Sequence, residues 1–242
     1  MTSPIDILAV NLKELDRNDV LLSEKKVQTW KWMEDGKEAT RKQEYVEVYY
    51  KQPGNKLVIC LDDTRTVNGI KISSKFKTGF MSINLTDDQS KLVREQVDDQ
   101  LFRLCYENRA DLCKKGNKIT MPQEMRIMFQ GVVKEGEEKP DGSGKWNDQV
   151  TCTIPTRKKG ATVTVDNIAC VIEDLDGVEF AWTGLEQSRL KEVAIEIDRI
   201  NLGKDISVRG KFRLVVPDAK TQPRVVTKRS RDRVHESVEQ PR

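Results

Sequence analysis

Residues 44–61, EYVEVYYKQPGNKLVICL, predict a strand, a tight turn and a returning strand. The first part alternates β-branched or aromatic residues with polar ones, as a half-buried strand does. The segment Gln52-Pro53-Gly54-Asn55 then has the composition of a turn, because Pro and Gly supply the backbone angles that turns need. The apolar run that follows has the length of a strand. We therefore expect a β-hairpin here.

Similar strand patterns flank this hairpin on both sides. Residues 26–33, 67–73 and 79–84 carry β-branched and aromatic side chains in partial alternation. About five short strands within about sixty residues are typical of a small antiparallel sheet or barrel. Residues 1–24 show no clear period, and we interpret them as an N-terminal arm.

One helix is predicted next, at about residues 86–115. Thr86 is placed to cap it, Gln89 stands three positions later, and aspartates occupy the first turn, where the helix dipole favours negative charge. Apolar side chains recur at helical spacing from Leu92 to Leu112. We expect this helix to cover one face or mouth of the β structure, with its apolar stripe in the core.

Strand patterns resume after the helix and complete the predicted fold class. They cover residues 124–133, 150–155, 161–172, 178–182, 191–202 and 206–216, and the last two form a long pair. We thus predict a mainly β (α+β) chain with an antiparallel barrel or sheet at residues 25–216 and one long capping helix. Residues 217–242 contain prolines and a basic run, which predicts a flexible, disordered basic tail.

Charge and composition narrow the function classes. The net charge is only +3 although 33% of residues are charged, so attraction to nucleic acid must come from local clusters. The five cysteines are scattered, without a C-x-x-C motif, which favours buried free thiols in a reducing compartment. The sequence shows neither a secretory signal pattern nor an apolar run near the roughly 20 residues of a membrane helix. We expect an intracellular protein that does not contact membranes.

Lysines interleaved with aromatic residues in the first third of the chain predict a surface for unstacked bases. In a strand, Trp30 and Trp32 share one face and Lys31 lies on the other. Exposed rings of this kind stack on bases while lysines contact phosphates. The alternative is that both tryptophans belong to the core, as large aromatic residues usually do. Tyr49 is a further candidate for stacking.

A row of lysines follows. Lys71, Lys75 and Lys77 are spaced to share one face of an extended chain, where they would follow a line of phosphates. The alternative is a solvated edge that lysines protect against aggregation. Phe76 and Phe80 then fall on the opposite face, pointing inward, or on a bend, and Phe76 is kept as a stacking candidate.

Two further basic clusters lie late in the chain. Arg209, Lys211 and Arg213 alternate with apolar residues, which predicts one cationic strand face suited to a phosphate backbone. Arg157 and Lys158 belong to a basic loop. Each cluster alone is equally typical of an ordinary solvated surface. Together they favour a binding path, because one bound strand needs several contacts along its length.

Catalytic and metal chemistry have little support. The single histidine, His235, lies in the predicted tail, and the cysteines lack metal-ligand spacing, so nucleophilic triads and metal sites are disfavoured. The carboxylates of Asp62-Asp63, or of Asp174 and Asp176, leave a Mg²⁺-dependent nuclease open, although the second pair is more simply a hairpin turn. We expect no enzyme activity, no catalytic residue, no metal site and no cofactor.

With these motifs laid out, the chain resembles the single-stranded-DNA-binding OB-fold proteins of large DNA viruses. The resemblance rests on the early β-rich block with Lys31 and Trp32, the capped helix, and the later strands ending in Ile206-Ser207-Val208-Arg209, and it spans roughly residues 25–216. It implies an OB-like barrel, a part in viral DNA replication or repair, and a place in the host cytoplasm or nucleus. The basic tail departs from the acidic, polymerase-recruiting tail of several such families, so tail-mediated recruitment is not implied.

The leading hypothesis is therefore a non-enzymatic, sequence-independent single-stranded DNA-binding protein, with DNA favoured over RNA and with self-association as a further property. A structural or virion-assembly protein is the alternative hypothesis. A Mg²⁺-dependent nuclease is the third.

Overall fold

The computed structural model describes residues 9–34, 37–73, 78–113, 116–157, 167–173, 185–186 and 188–218. The strand predicted at residues 178–182 and nearly all of the predicted tail lie outside these residues.

Most of the described chain is β structure, as predicted. The strands are β1 (Val10–Asn11), β2 (Val20–Leu22), β3 (Lys26–Glu34), β4 (Lys37–Tyr50), β5 (Leu57–Ile72), β6 (Gly79–Asn84), β7 (Phe129–Gln130), β8 (Val133–Lys134), β9 (Gln149–Ile154), β10 (Val171–Ile172), β11 (Arg189–Leu202) and β12 (Ile206–Pro217).

Five of these strands close into a barrel in the order β5-β6-β9-β12-β11 and back to β5. All pairs in this ring are antiparallel except β9 with β12, which run parallel. β5 closes the ring, because its first half pairs with β11 and its second half pairs with β6. A five-stranded barrel with a parallel closing pair confirms the predicted OB-like class.

The barrel interior is apolar and tightly filled. Met81, Ile83, Ile195 and Phe212 are fully buried, and along β6 buried and half-buried residues alternate strictly. Burying each such side chain stabilises the fold by about 1.5–3 kcal/mol. At Gly210 the strands approach so closely that a Cβ would lie 2.5 Å from the Cys152 Sγ, so only glycine fits there without displacement.

The predicted helix is confirmed and packs on the barrel. It runs through α1 (Asp87–Val93), a π-helical segment (Arg94–Asp98) and α2 (Asp99–Glu107), and α3 (Arg109–Leu112) follows. Thr86 and Gln89 form the reciprocal capping box at its start. Asp98 is buried and accepts hydrogen bonds from the backbone N–H groups of Val132 (2.6 Å) and Val133 (3.2 Å), which ties the helix to the barrel.

Three sequence predictions need correction. The turn at residues 52–55 is present, but its flanking strands share only the bridge between Tyr49 and Lys56 before they separate, because β5 pairs with β11 instead. The strands predicted at 56–61 and 67–73 are one strand, β5, with a bulge where Gly69 has a positive φ of 60°. The strand predicted at 124–133 begins as a helix, α4 (Pro122–Arg126), since proline suits the first helical turn.

The N-terminal segment packs against the same core as the barrel. Leu12, Leu15 and Val20 are buried, β1 pairs with β5, and β2 pairs with β4. The division into an arm, a domain and a tail stays a prediction.

β3 and β4 form a two-stranded ribbon that extends past the barrel. Residues 44–47 of β4 pair with residues 199–202 of β11, so the ribbon starts next to the turn at residues 203–205. From residue 43 to residue 37, β4 pairs only with β3 among the described residues. Arg41 and Lys42, which point to opposite faces of β4, are both exposed, so both faces of this outer part are open to solvent.

Candidate nucleic-acid interface

One face of the ribbon combines an exposed indole with a guanidinium. Trp30 pairs directly with Arg41 across the ribbon, and the next positions along the same face pair Gln28 with Gln43 and Lys26 with Tyr45. Cross-strand partners point to the same side of a sheet, so these six residues form one surface, here called the ribbon face. The Trp30 side chain is 36% exposed, which agrees with the surface interpretation rather than the core one. Trp32 pairs with Ala39, and its side chain lies outside the description.

Arg199 connects the ribbon face to the barrel. Its Nη1 donates a hydrogen bond of 2.6 Å to the Gln28 Oε1, and its guanidinium lies 5.2 Å from the centre of the Tyr45 ring. The same residue pairs with Arg209 of β12. A β-bulge at Asp198 turns Arg199 outward, since strict alternation from Glu196 would point it into the core. The ribbon face therefore continues onto the outside of the barrel.

The outer barrel face carries one row of residues across four strands. Lys71 of β5 pairs with Phe80 of β6, Phe80 with Thr153 of β9, and Thr153 with Lys211 of β12. Two positions along, Ser82 and Thr151 pair, and their hydroxyl oxygens are 2.8 Å apart. We call this surface the barrel face: Lys71, Phe80, Ser82, Thr151, Thr153, Arg209 and Lys211. The inward placement predicted for Phe80 is wrong, because Phe80 is half-buried on the same side as Lys71.

The three cations predicted on β12 differ in their availability. Lys211 bonds to the Asp198 carboxylate at 2.5 Å, and Arg213 bonds to Glu196, which is only 2% exposed. A buried carboxylate needs such a partner, so these two cations stabilise the fold and are not available to bind phosphates. Arg209 is exposed and forms no ion pair with any residue that the structure describes.

Tyr49 belongs to an ionic cluster at the base of the ribbon. Glu47 accepts hydrogen bonds from the Lys26 ammonium (2.7 Å) and from the Tyr49 hydroxyl, and Lys56 lies 3.3 Å away. The hydrogen bond from Lys26, followed by the one from Tyr49, lowers the pKa of Glu47 to about 2. The Lys56 ammonium also lies 5.0 Å from the centre of the Tyr49 ring. One side of that ring is therefore occupied by a cation of the protein itself.

The remaining predicted site residues are dispersed or undescribed. Lys31 lies on the other face of the ribbon and bonds to Glu38 at 2.6 Å. Arg157 donates from its Nε to the carbonyl oxygen of Ile168 at 3.2 Å. The side chains predicted at residues 75, 76, 77 and 158 (Lys75, Phe76, Lys77 and Lys158) lie outside the described residues.

Sequence reasoning missed Arg41 and Arg199 as members of this surface. Tyr45 and Phe80 belong to the aromatic residues noted in the first third of the chain, but neither was selected as a binding residue. Arg41 can be recognised as the partner of Trp30 only when the ribbon register is known. The pairing of Glu34 with Lys37 sets this register and places Trp30 opposite Arg41. No pattern in the sequence predicts that Arg199 belongs to this surface, because its outward direction depends on the bulge at Asp198.

The structure locates part of the groups considered for other chemistry, while Asp174, Asp176 and His235 lie outside the described residues. Asp63 lies 3.3 Å from the Lys191 ammonium and 3.8 Å from the Arg189 guanidinium. Within the described ranges no cluster of three or more His, Cys, Asp or Glu residues is arranged to hold a metal ion. Burial raises the pKa of the Cys105, Cys152 and Cys170 thiols to about 12. In the part of the chain that the structure covers, no helix has the length and apolar character needed to cross a membrane.

Comparison with known proteins gives a likeness among solved structures. No protein family matches the chain. No curated protein matches it either. The solved structure of a single-stranded DNA-binding protein from bacteriophage Enc34, a C-terminal truncation, is similar at 12% identity and a TM-score of 0.42, over 73% of this chain and 92% of that one. A likeness of this size identifies neither a family nor a function. The attribution to large DNA viruses stays a prediction.

Proposed function

We propose that this protein binds single-stranded DNA without sequence preference and without catalysis, through the joined ribbon and barrel faces. The observation that supports it is the continuity of this surface, from Trp30 and Arg41, through Tyr45 and Arg199, to Arg209 and Phe80. Aromatic rings and cations alternate along it, which is the combination that an unpaired strand requires.

The position of the surface on the barrel is consistent with this proposal. In OB folds the face of the second and third barrel strands binds oligonucleotides, together with the loop between the first two strands and the loop between the last two. Here these strands are β6 and β9, and the last loop is the turn at residues 203–205, where the ribbon begins. The ribbon thus extends the usual binding face of the fold.

Each type of side chain has a separate task in this mechanism. Lys71, Arg209 and Arg41 neutralise phosphates, and Trp30 and Phe80 stack on bases, each at about 1–3 kcal/mol. The Ser82 and Thr151 hydroxyls offer hydrogen bonds to sugars or bases. Since every base has a flat face, stacking carries little sequence preference. A duplex is disfavoured because its bases are already stacked on each other.

The salt dependence of affinity tests the electrostatic part. If three phosphates are neutralised, the slope of log affinity against log salt is about −2, from about −0.7 per contact with a single strand. Fluorescence anisotropy of a labelled oligo-dT of about thirty nucleotides, with unlabelled duplex as competitor, measures both slope and preference. Because the chain has four tryptophans, the difference in tryptophan quenching between wild type and Trp30→Ala in the same titration reports stacking of Trp30.

A matched pair of variants localises the site. Arg209→Ala should weaken binding, whereas Arg103→Ala, on the outer side of the helix and ion-paired with Glu107 at 3.8 Å, should leave it unchanged. Absence of binding at low salt, or equal loss in both variants, would contradict the proposal. Degradation of labelled strands with Mg²⁺ or Mn²⁺ would contradict its non-enzymatic part and favour the nuclease.

The sequence resemblance extends the proposal to viral DNA replication or repair, inside the infected cell. A direct comparison of oligo-dT with oligo-U of equal length tests the preference for DNA over RNA.

A further inference from the structure

In the part of the chain that the structure describes, the outer edge of β3 is open. β3 pairs with β4 on one side and with no other strand among the described residues. An isolated two-stranded ribbon is marginally stable in water, and three or more strands are usually needed. An edge with unpaired backbone groups is a template for another strand.

The protection that edge strands normally carry is weak on β3. Lysine is the usual protective residue, but the Lys31 ammonium is held by Glu38 of its own ribbon at 2.6 Å. The side of the ribbon opposite the ribbon face also exposes two large apolar residues, Val27 (57%) and Met33 (68%).

We propose that β3 pairs antiparallel with β3 of a second copy of this chain, about a two-fold axis at Trp30. In this register positions whose numbers add to 60 stand opposite each other. Val27 then meets Met33 of the second copy, and Thr29 meets Lys31. Lys26 stands opposite position 34, a glutamate in the sequence. The edge is self-complementary, as a two-fold interface requires.

Neighbouring registers lose this complementarity. A shift of two residues one way brings Val27 opposite Lys31, and the shift the other way places Lys31 opposite itself. Shifts by one residue would exchange the two faces of the ribbon. Like charges opposite each other in a sheet are destabilising, and apolar or opposite-charge pairs are favourable. The register centred on Trp30 is therefore selected by charge and by apolar burial together.

The dimer has a consequence for the proposed surface. Because the two-fold axis is perpendicular to the sheet, both ribbon faces lie on the same side. The two Trp30 rings become neighbours, flanked by Arg41 of each copy, so a single surface runs from one barrel to the other. Edge pairing of nine residues forms a small interface, so we expect a weak dimer that a shared strand would strengthen. The pairing itself does not depend on nucleic acid.

Sedimentation equilibrium of the full chain without nucleic acid tests the proposal. Wild type should show a concentration-dependent monomer–dimer equilibrium. The double variant Val27→Lys/Met33→Lys puts lysine opposite lysine twice per dimer, and dimerisation should weaken by about tenfold or more. The change is tolerated within the monomer, since Val27 pairs with Glu44 and Met33 with Glu38 on β4. The variant Val27→Lys/Met33→Glu/Glu38→Gln should restore dimerisation, because each pair across the interface becomes oppositely charged and Glu38→Gln removes the like charge that would face position 33 within the ribbon.

A control and a second measurement make the result specific. Met121→Lys/Ile127→Lys adds the same charges at exposed apolar positions away from the ribbon and should leave the dimer intact. Mixing Val27→Cys protein with Met33→Cys protein should allow a short bismaleimide to join the two, because these positions stand directly opposite each other. Neither variant alone should be joined beyond the wild-type background, since its own two new cysteines would lie about 20 Å apart along the strands. A wild-type chain that remains monomeric at all concentrations would overturn the proposal. A dimer that persists in the Val27→Lys/Met33→Lys variant would place the interface elsewhere and overturn it equally. Since no nucleic acid is present, neither result bears on DNA binding.

Discussion

Arg209 and Lys211 look equivalent in the sequence, yet the structure predicts different roles for them in binding. Both alternate with buried residues on β12, but Lys211 is bonded to Asp198 at 2.5 Å while Arg209 is exposed without an ion pair among the described residues. Arg209→Ala should therefore remove one phosphate contact. The salt slope should become shallower by about 0.7, and at 0.1 M salt the affinity should fall about fivefold, or about 1 kcal/mol.

The matched control removes a cation without changing the net charge. In Asp198→Asn/Lys211→Ala both members of the ion pair are neutralised, so the salt slope should stay unchanged. Anisotropy titrations with oligo-dT at four or more salt concentrations measure both slopes, and circular dichroism verifies the fold. Equal changes of the salt slope in the two proteins would refute the distinction between Arg209, which is available to phosphates, and Lys211, which is ion-paired. No change for Arg209→Ala would remove the barrel face from the binding surface.

Three further predictions concern stacking, packing and pH. Trp30→Ala should weaken oligo-dT binding by about 1–3 kcal/mol in anisotropy and reduce the quenching of tryptophan emission; unchanged affinity would show that no base stacks there. Gly210→Ala should lower the free energy of unfolding in urea by about 1–3 kcal/mol, and adding Cys152→Ala should recover part of the loss by making room for the new methyl group, whereas no recovery would argue against this contact. Burial raises the pKa of Asp98 to about 6, so its ionisation destabilises the folded state above that pH, and this cost disappears as the pH falls from about 6 towards 4. Glu47, whose pKa is lowered to about 2, stabilises the fold above about pH 4.5 and loses this effect below it, so stability should be greatest in mildly acidic solution. Urea titrations between pH 3 and 8 measure the free energy of unfolding as a function of pH. Asp98→Asn should reduce the loss of stability between about pH 4 and 7, and an unchanged loss would contradict the assignment to Asp98.

The elements of the fold that depend on local sequence were predictable. The capping box at Thr86 and Gln89 is where the pattern placed it, and the strand predicted at residues 79–84 coincides with β6. The strands expected at 191–202 and 206–216 also form, as β11 and β12. Capping, helical periodicity and two-residue alternation act between neighbours in the chain, so one sequence is enough to recognise them.

The partners of each strand were not predictable in the same way. The turn at residues 52–55 predicted that β4 and β5 pair along their length, whereas β5 pairs instead with β11, more than a hundred residues away. Local alternation states which residues can be buried, but not which distant strand buries them. The candidate site shows the same limit: Trp30 was singled out from its neighbours, and Arg199 was not.

Local sequence patterns are sufficient to predict a β-rich chain with one capped helix, and to show that aromatic residues and lysines are concentrated in its first third. Which of the charged side chains can bind a ligand depends on the tertiary structure. It assigned Lys211 and Arg213 to carboxylates of β11, left Arg209 exposed, and turned Arg199 outward through one bulge. The reason is physical: an ion pair or a bulge depends on register between strands far apart in sequence, and register is set by closing the barrel as a whole.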